Sequence, residues 1–154
     1  MDRSNNPKLS VAYCPKPIAR QQASGNPQII KRLDVAHVIP ILRIFDYDKA
    51  REFYMTWLGF RIEWEHRPEG SPAYLQIARG DITLHLSEHS GDCSPGARVF
   101  IDDFQELYAF HRQLEAKDYK YNKPSIVTPS YDPTAMEMTV TDPFSNRLTF
   151  VERQ

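Results

Sequence analysis

Cysteine is almost missing from this chain, with only Cys14 and Cys93 in 154 residues. Neither sits in a Cys-x-x-Cys pair, so a disulfide framework is excluded, and both thiols are expected to be reduced. Excess charge of one sign is missing too. Nineteen Lys and Arg stand against 20 Asp and Glu, a net charge of −1, which supplies no basic footprint for nucleic acid. No apolar run approaches the ~18 residues of a membrane-spanning helix. The opening Met-Asp-Arg-Ser-Asn-Asn-Pro has no apolar stretch of the kind a secretory signal carries, so the expected setting is cytoplasmic. Glycine is scarce, with six residues against 12 prolines. What remains is ordinary globular material, 41% hydrophobic and 25% charged, in a length that suits one domain.

The prolines divide the chain. Pro7, Pro15, Pro17 and Pro27 fall in the first 30 residues among Ser, Asn and Gln, where Val11-Ala12-Tyr13-Cys14 is the one apolar cluster. Residues 1–35 therefore read as a flexible arm, and residues 36–154 as the domain. From Val35 the composition turns β-branched, predicting a strand over residues 36–44 with Pro40 at an edge or bulge. Asp46 is placed to cap a helix whose apolar face is Ala50, Phe53, Trp57 and Leu58, with Gly59 ending it. Three strands are expected over residues 60–66, 73–78 and 81–87. In the last, Ile82, Leu84 and Leu86 alternate with Thr83, His85 and Ser87.

The same order then recurs. A strand is predicted over residues 97–101. A helix follows, capped by Asp103 with Glu106 three residues on in capping-box spacing and Leu107, Phe110 and Leu114 as its stripe. Strands over residues 119–121, 134–141 and 147–152 complete the round. The residues repeat as well: the run from Asp46 to Phe53 parallels that from Asp103 to Phe110, and Leu84-His85-Leu86-Ser87-Glu88 parallels Leu148-Thr149-Phe150-Val151-Glu152. Two βαβββ modules, about residues 36–90 and 96–153, give an α+β fold. Together they are expected to form a curved mixed sheet with a concave ligand cleft.

Several short motifs carry a family resemblance. Ile41-Leu42-Arg43-Ile44-Phe45-Asp46, Glu52-Phe53-Tyr54, Leu58-Gly59-Phe60 and the run from Val140 to Leu148 through Asp142-Pro143-Phe144-Ser145-Asn146 resemble the vicinal oxygen chelate superfamily. That group includes glyoxalase I, extradiol dioxygenases and bleomycin-resistance proteins. Glu106-Leu107-Tyr108 is similar to the bleomycin-resistance branch. The resemblance covers residues 36–152. It implies a metal set of four side chains on the inner strands, and carried over position by position this gives Ile39, His85, a residue near Gly96, and Thr149. Of these, His85 alone is a competent ligand. His37 and Glu137 are the conceivable substitutes. His85, Glu88, His89 and Asp92 form a candidate cluster that reads as a solvated rim.

With no metal and no cofactor expected, the resemblance implies binding rather than catalysis. The expected protein is a homodimer that sequesters a bleomycin-type small molecule, aromatic and cationic, in clefts between its subunits. The candidate ligand-binding residues are Ile39, Arg43, Trp64, Tyr74, His85, Tyr131, Glu137 and Thr149. Trp64 has two readings. It shares no face with its neighbours Glu63 and Glu65, so it belongs either to the core or to the cleft wall. Arg43 is expected in a surface ion pair or against an anionic ligand group. Cys93 has no basic neighbour in its own loop, and no His-Asp pair supports a nucleophile. The relatives' Trp-Gly pair is absent from the stretch 129–137, where Tyr131 stands as the aromatic substitute. A divalent-metal-dependent lyase, isomerase or dioxygenase is the alternative, and a protein-interaction module using the arm is a third.

Overall fold

The computed structural model describes residues 36–153. The expected arm, residues 1–35, lies outside them. The first strand is shorter than its composition suggests. Pro40 has no N–H to give, so the ladder starts after it. The Pro40 carbonyl accepts from His85 N at 2.9 Å, and β1 is only Ile41–Arg43. It lies at a sheet edge, the place a preceding proline permits.

Asp46 caps α1 (Tyr47–Ala50) as its sequence predicts, accepting from Lys49 N at 3.0 Å. The helix then widens into a π-helical segment, Arg51–Trp57. Leu58 N donates to Phe53 O, five residues back, and Phe53, Tyr54, Trp57 and Leu58 are all buried. Gly59, at φ +80°, turns the chain into β2 (Arg61–His66). Strands β3 (Tyr74–Arg79) and β4 (Ile82–Ser87) follow, and the sheet order is β1-β4-β3-β2 with only the β1–β4 pair parallel.

The second module repeats this as β5 (Arg98–Ile101), α2 (Leu107–Ala116), β6 (Ile126–Val127), β7 (Ala135–Thr141) and β8 (Arg147–Arg153), in the order β5-β8-β7-β6. The mixed sheet thus exists once per module, as two four-stranded sheets. The repeat extends to register. His85 is flanked by Ile41 and Gln76, and Thr149 by Phe100 and Thr139.

Two local expectations fail. Residues 119–121 are not a strand, because Trp57 and Phe53 draw the Tyr119 ring onto the helical segment, and Trp57 stacks on it at 4.9 Å. The capping box at Asp103 and Glu106 does not form, since both residues take left-handed backbone angles. Glu152 of β8 caps α2 instead, accepting from Glu106 N at 3.3 Å and Leu107 N at 2.9 Å.

Both modules feed one continuous core that includes Leu42, Phe53, Leu86, Phe110, Met138 and Phe150. A buried polar knot pins them. Tyr54 Oη donates to Asp142 Oδ2 at 2.7 Å, while Asp142 Oδ1 accepts from the amides of Phe144 and Asn146. Asn146 Nδ2 donates both to Asp142 Oδ2 and, at 2.8 Å, to the Arg43 carbonyl of the other module. The turn motif that carries the family resemblance is therefore a clasp between modules. Burial raises the Asp142 carboxyl above its ordinary value against the pull of these donors, and raises the Tyr54 hydroxyl further still.

Candidate functional site

Each sheet turns one face to the core and leaves the other open. On β4, Leu84 and Leu86 are buried, so Thr83 and His85 project from the open face, while Ser87 on the same side is covered where it donates to Asp92. On β3, Leu75 and Ile77 point inward, and Tyr74 and Gln76 point out. Strict alternation along β2 would send Trp64 to the core with Ile62. A bulge intervenes. Ile62 pairs with Ile77 but Trp64 pairs with Gln76, leaving Glu63 as the extra residue. Trp64 thereby lands on the open face beside Tyr74 and His85. Glu65 takes the helix side, where Tyr47 Oη donates to it at 2.6 Å.

The result is a compact aromatic platform. Trp64 and Tyr74 stack at 5.7 Å with rings 14° apart, and His85 meets both edge-on at 5.6 and 5.4 Å. Hydrogen bonds run through it. Tyr74 Oη lies 2.8 Å from His85 Nδ1, His85 Nε2 lies 3.1 Å from Gln76 Oε1, and Trp64 Nε1 donates to that same oxygen at 2.9 Å. Partial burial lowers the His85 pKa below its ordinary value. Gln76 escaped the candidate residues, although its alternation with Leu75 and Ile77 places it beside Tyr74.

Arg43 borders this platform from β1. The expected ion pair is absent among the described residues: its guanidinium lies over the Phe45 ring at 4.9 Å, and Nη1 is buried with no hydrogen-bond partner. The fold does bring a cation to Cys93, which the loop sequence does not. Arg43 lowers the Cys93 pKa, but burial outweighs it and the thiol is raised, so it is no activated nucleophile.

The remaining candidates separate from these. Tyr131 Oη donates to Glu137 on the open face of the second sheet. There Thr149 bonds Thr139 at 2.9 Å, and Arg153 bridges Asp102 and Asp132. Ile39 precedes β1, and it is Ile41, not Ile39, that faces His85 across the sheet; in the second module the matching residue is Phe100, not Gly96. No hydrogen bond or ring contact joins the two open faces among the described residues. Two hollows among the described residues lie elsewhere: one of about 660 Å³ runs beside Asp46, Arg67 and Glu88, and one of about 460 Å³ beside Arg79 and Phe110. A bare sheet face is half a cleft and encloses nothing by itself.

The donor set does not fit the family's metal. Ile41, His85, Phe100 and Thr149 occupy the four register-related positions, and a single imidazole cannot hold a divalent ion there. The rim residues are otherwise engaged, with Glu88 accepting from Ala73 N and Asp92 from Ser87 Oγ. No group of three His, Cys, Asp or Glu suited to a metal occurs among the described residues. Nor is any helix there long and apolar enough to cross a membrane.

The profile of a family described as glyoxalase superfamily protein matches residues 23–154. No curated protein matches the chain. Among solved structures, a bleomycin-binding protein complexed with bleomycin is 22% identical, covering 78% of this chain and 100% of its own, with a TM-score of 0.56. A bleomycin resistance determinant encoded on the transposon Tn5 is 20% identical over 78% of this chain and 99% of its own, with a TM-score of 0.60. An antibiotic-binding protein from a Streptomyces species is 20% identical over 79% and 99%, also with a TM-score of 0.60. At these identities the likeness is one of fold.

Proposed function

The chain belongs to the glyoxalase superfamily, and within it we propose that this member binds and sequesters a flat aromatic small molecule of the bleomycin type without transforming it. The observation that carries this reading is the aromatic platform of Trp64, Tyr74 and His85, packed around the one competent residue among the four positions that would hold a metal. A stacked, partly desolvated aromatic surface holds a planar ring through dispersion and its quadrupole, and needs no reacting group. The Arg43 guanidinium at the edge of the platform suits an anionic group on the ligand. Glu137 and Tyr131 suit a cationic tail.

These two sets sit on different open faces, so the reading includes a homodimer in which one subunit's platform meets the partner's second face. Ile41, Phe45, Phe100 and Val127 leave both faces with exposed apolar surface for such a contact. The protein acts in the cytoplasm in this reading. Calorimetric titration with metal-free and copper-loaded bleomycin tests it, with light scattering for the dimer. Binding with loss of affinity in Trp64→Ala supports it. The absence of heat at micromolar protein refutes it, as does stoichiometric Ni, Zn, Fe or Mn that is lost in His85→Ala.

A further inference from the structure

We propose that the bonds among Trp64, Gln76, His85 and Tyr74 fix the hydrogen-bond polarity of the platform, so that it selects ligands that donate a hydrogen bond to Tyr74 over equally flat ligands that can only accept. This rests on the reading of that face as a ligand site, and it adds a specificity rule to it.

The polarity follows from which atoms can carry protons. An indole N–H donates and never accepts, so the Gln76 atom 2.9 Å from Trp64 Nε1 is the carbonyl oxygen. That fixes the amide. His85 Nε2 lies 3.1 Å from the same oxygen, which has no proton to give, so Nε2 carries the hydrogen. That proton is common to the neutral ring and the imidazolium; partial burial disfavours the charged form and lowers the pKa below its ordinary value, so at pH 7.5 the ring carries the Nε2 proton alone. Nδ1 is then a bare acceptor, and Tyr74 Oη donates to it at 2.8 Å. Tyr74 Oη is left with lone pairs only.

The surroundings reinforce this sense. Burial raises the Tyr74 pKa and the Asp92 charge adds to it, while Ser87 Oγ donates to Asp92 Oδ2 at 2.6 Å. The lone pairs of Tyr74 Oη therefore suit a ligand N–H or O–H. A ligand oxygen there meets repulsion and leaves Tyr74 unsatisfied, an asymmetry that discriminates more strongly than shape does. Gln76 sets the direction without touching the ligand at Tyr74, so it is a positioning residue. The other charged or titratable groups around the platform are Arg43 on β1, Cys93 and His89 in the loop after β4, and His66 on β2. None of these makes a hydrogen bond to His85.

The test uses the full chain and two probes of one shape, indole, which donates, and benzofuran, which only accepts. Nitrogen-15 spectra of the histidines come first. The expected result for His85 is a neutral ring protonated at Nε2; a ring protonated at Nδ1, or charged at pH 7.5, overturns the proposal. Chemical-shift titrations follow, and indole is expected to bind at least fivefold more tightly than benzofuran at the Trp64 and Tyr74 resonances. In Gln76→Glu the new carboxylate draws a second proton onto His85. Nδ1–H then donates to Tyr74, whose own proton turns outward, and the preference is expected to fall to parity or reverse. Equal affinities in the unmodified protein overturn the polarity rule while leaving a ligand-binding face. Failure of both probes to move these resonances overturns the ligand-site reading and the rule with it.

Discussion

The clasp at Asp142 offers the sharpest test of how the modules are held together. Tyr54→Phe deletes one oxygen, the buried hydroxyl that reaches across the module boundary to Asp142 Oδ2 at 2.7 Å. The ring stays, and so do its edge contacts with Phe53 at 5.0 Å and Phe60 at 6.2 Å, so no cavity larger than the lost atom forms. What changes is the carboxylate. Of four donors it keeps three, the amides of Phe144 and Asn146 and the Asn146 side chain. A hydrogen bond to a charged group contributes about 1.5–3 kcal/mol, and that is the expected loss. Asp142→Ala is a larger injury. It leaves three buried donors without an acceptor at about 1–3 kcal/mol each, and Asn146 Nδ2 with the Arg43 carbonyl alone, a loss comparable with the whole stability of a domain at about 5–15 kcal/mol. Urea unfolding followed by tryptophan fluorescence measures the first, as a lower midpoint with an unchanged slope. The double variant should cost less than the two single losses together, because the Tyr54 bond can be broken only once. A Tyr54→Phe protein within 0.5 kcal/mol of the unmodified one, or strict additivity in the cycle, would refute the clasp.

Three further outcomes are expected. Glu152→Ala strips the first turn of α2 of its only side-chain cap among the described residues; the loss should be about 1 kcal/mol, with faster amide exchange at Leu107, and unchanged exchange there would count against it. The His85 pKa is depressed by burial, so the folded state binds fewer protons than the unfolded one just below pH 6.5. Its stabilising share is complete above about pH 6.5 and is lost as the pH falls through the folded pKa. The urea midpoint should therefore decline on acidification, and less so in His85→Gln. Arg43→Met replaces a guanidinium whose Nη1 is buried and unpartnered with an apolar chain of similar length; stability should hold or rise slightly by urea unfolding while affinity for bleomycin falls.

Much of the fold was legible because it follows from short-range rules. The helix faces of Phe53, Trp57, Phe110 and Leu114 emerge from spacing, and the alternation around His85 places it on the open face with Tyr74. The doubling of βαβββ is visible in the repeated runs of residues. The helix caps split instructively. Asp46 lies three residues from the amide it serves, and its spacing gives it away. The cap of α2 comes from Glu152, 45 positions along the chain from Leu107, and the capping-box spacing at Asp103 and Glu106 misleads.

The composition and pattern of the sequence by themselves determined the α+β class and the two modules, since each depends on residue type and local period. Tertiary structure alone decided which side chains meet in the candidate site. Parity leaves Trp64 between core and cleft, and only the pairing of β2 with β3 reveals that Glu63 is an extra residue. That single insertion shifts the register by one, and in a strand a shift of one exchanges the two faces. It turns an indole that alternation would bury beside Ile62 into the wall of the platform, within reach of Gln76, Tyr74 and His85.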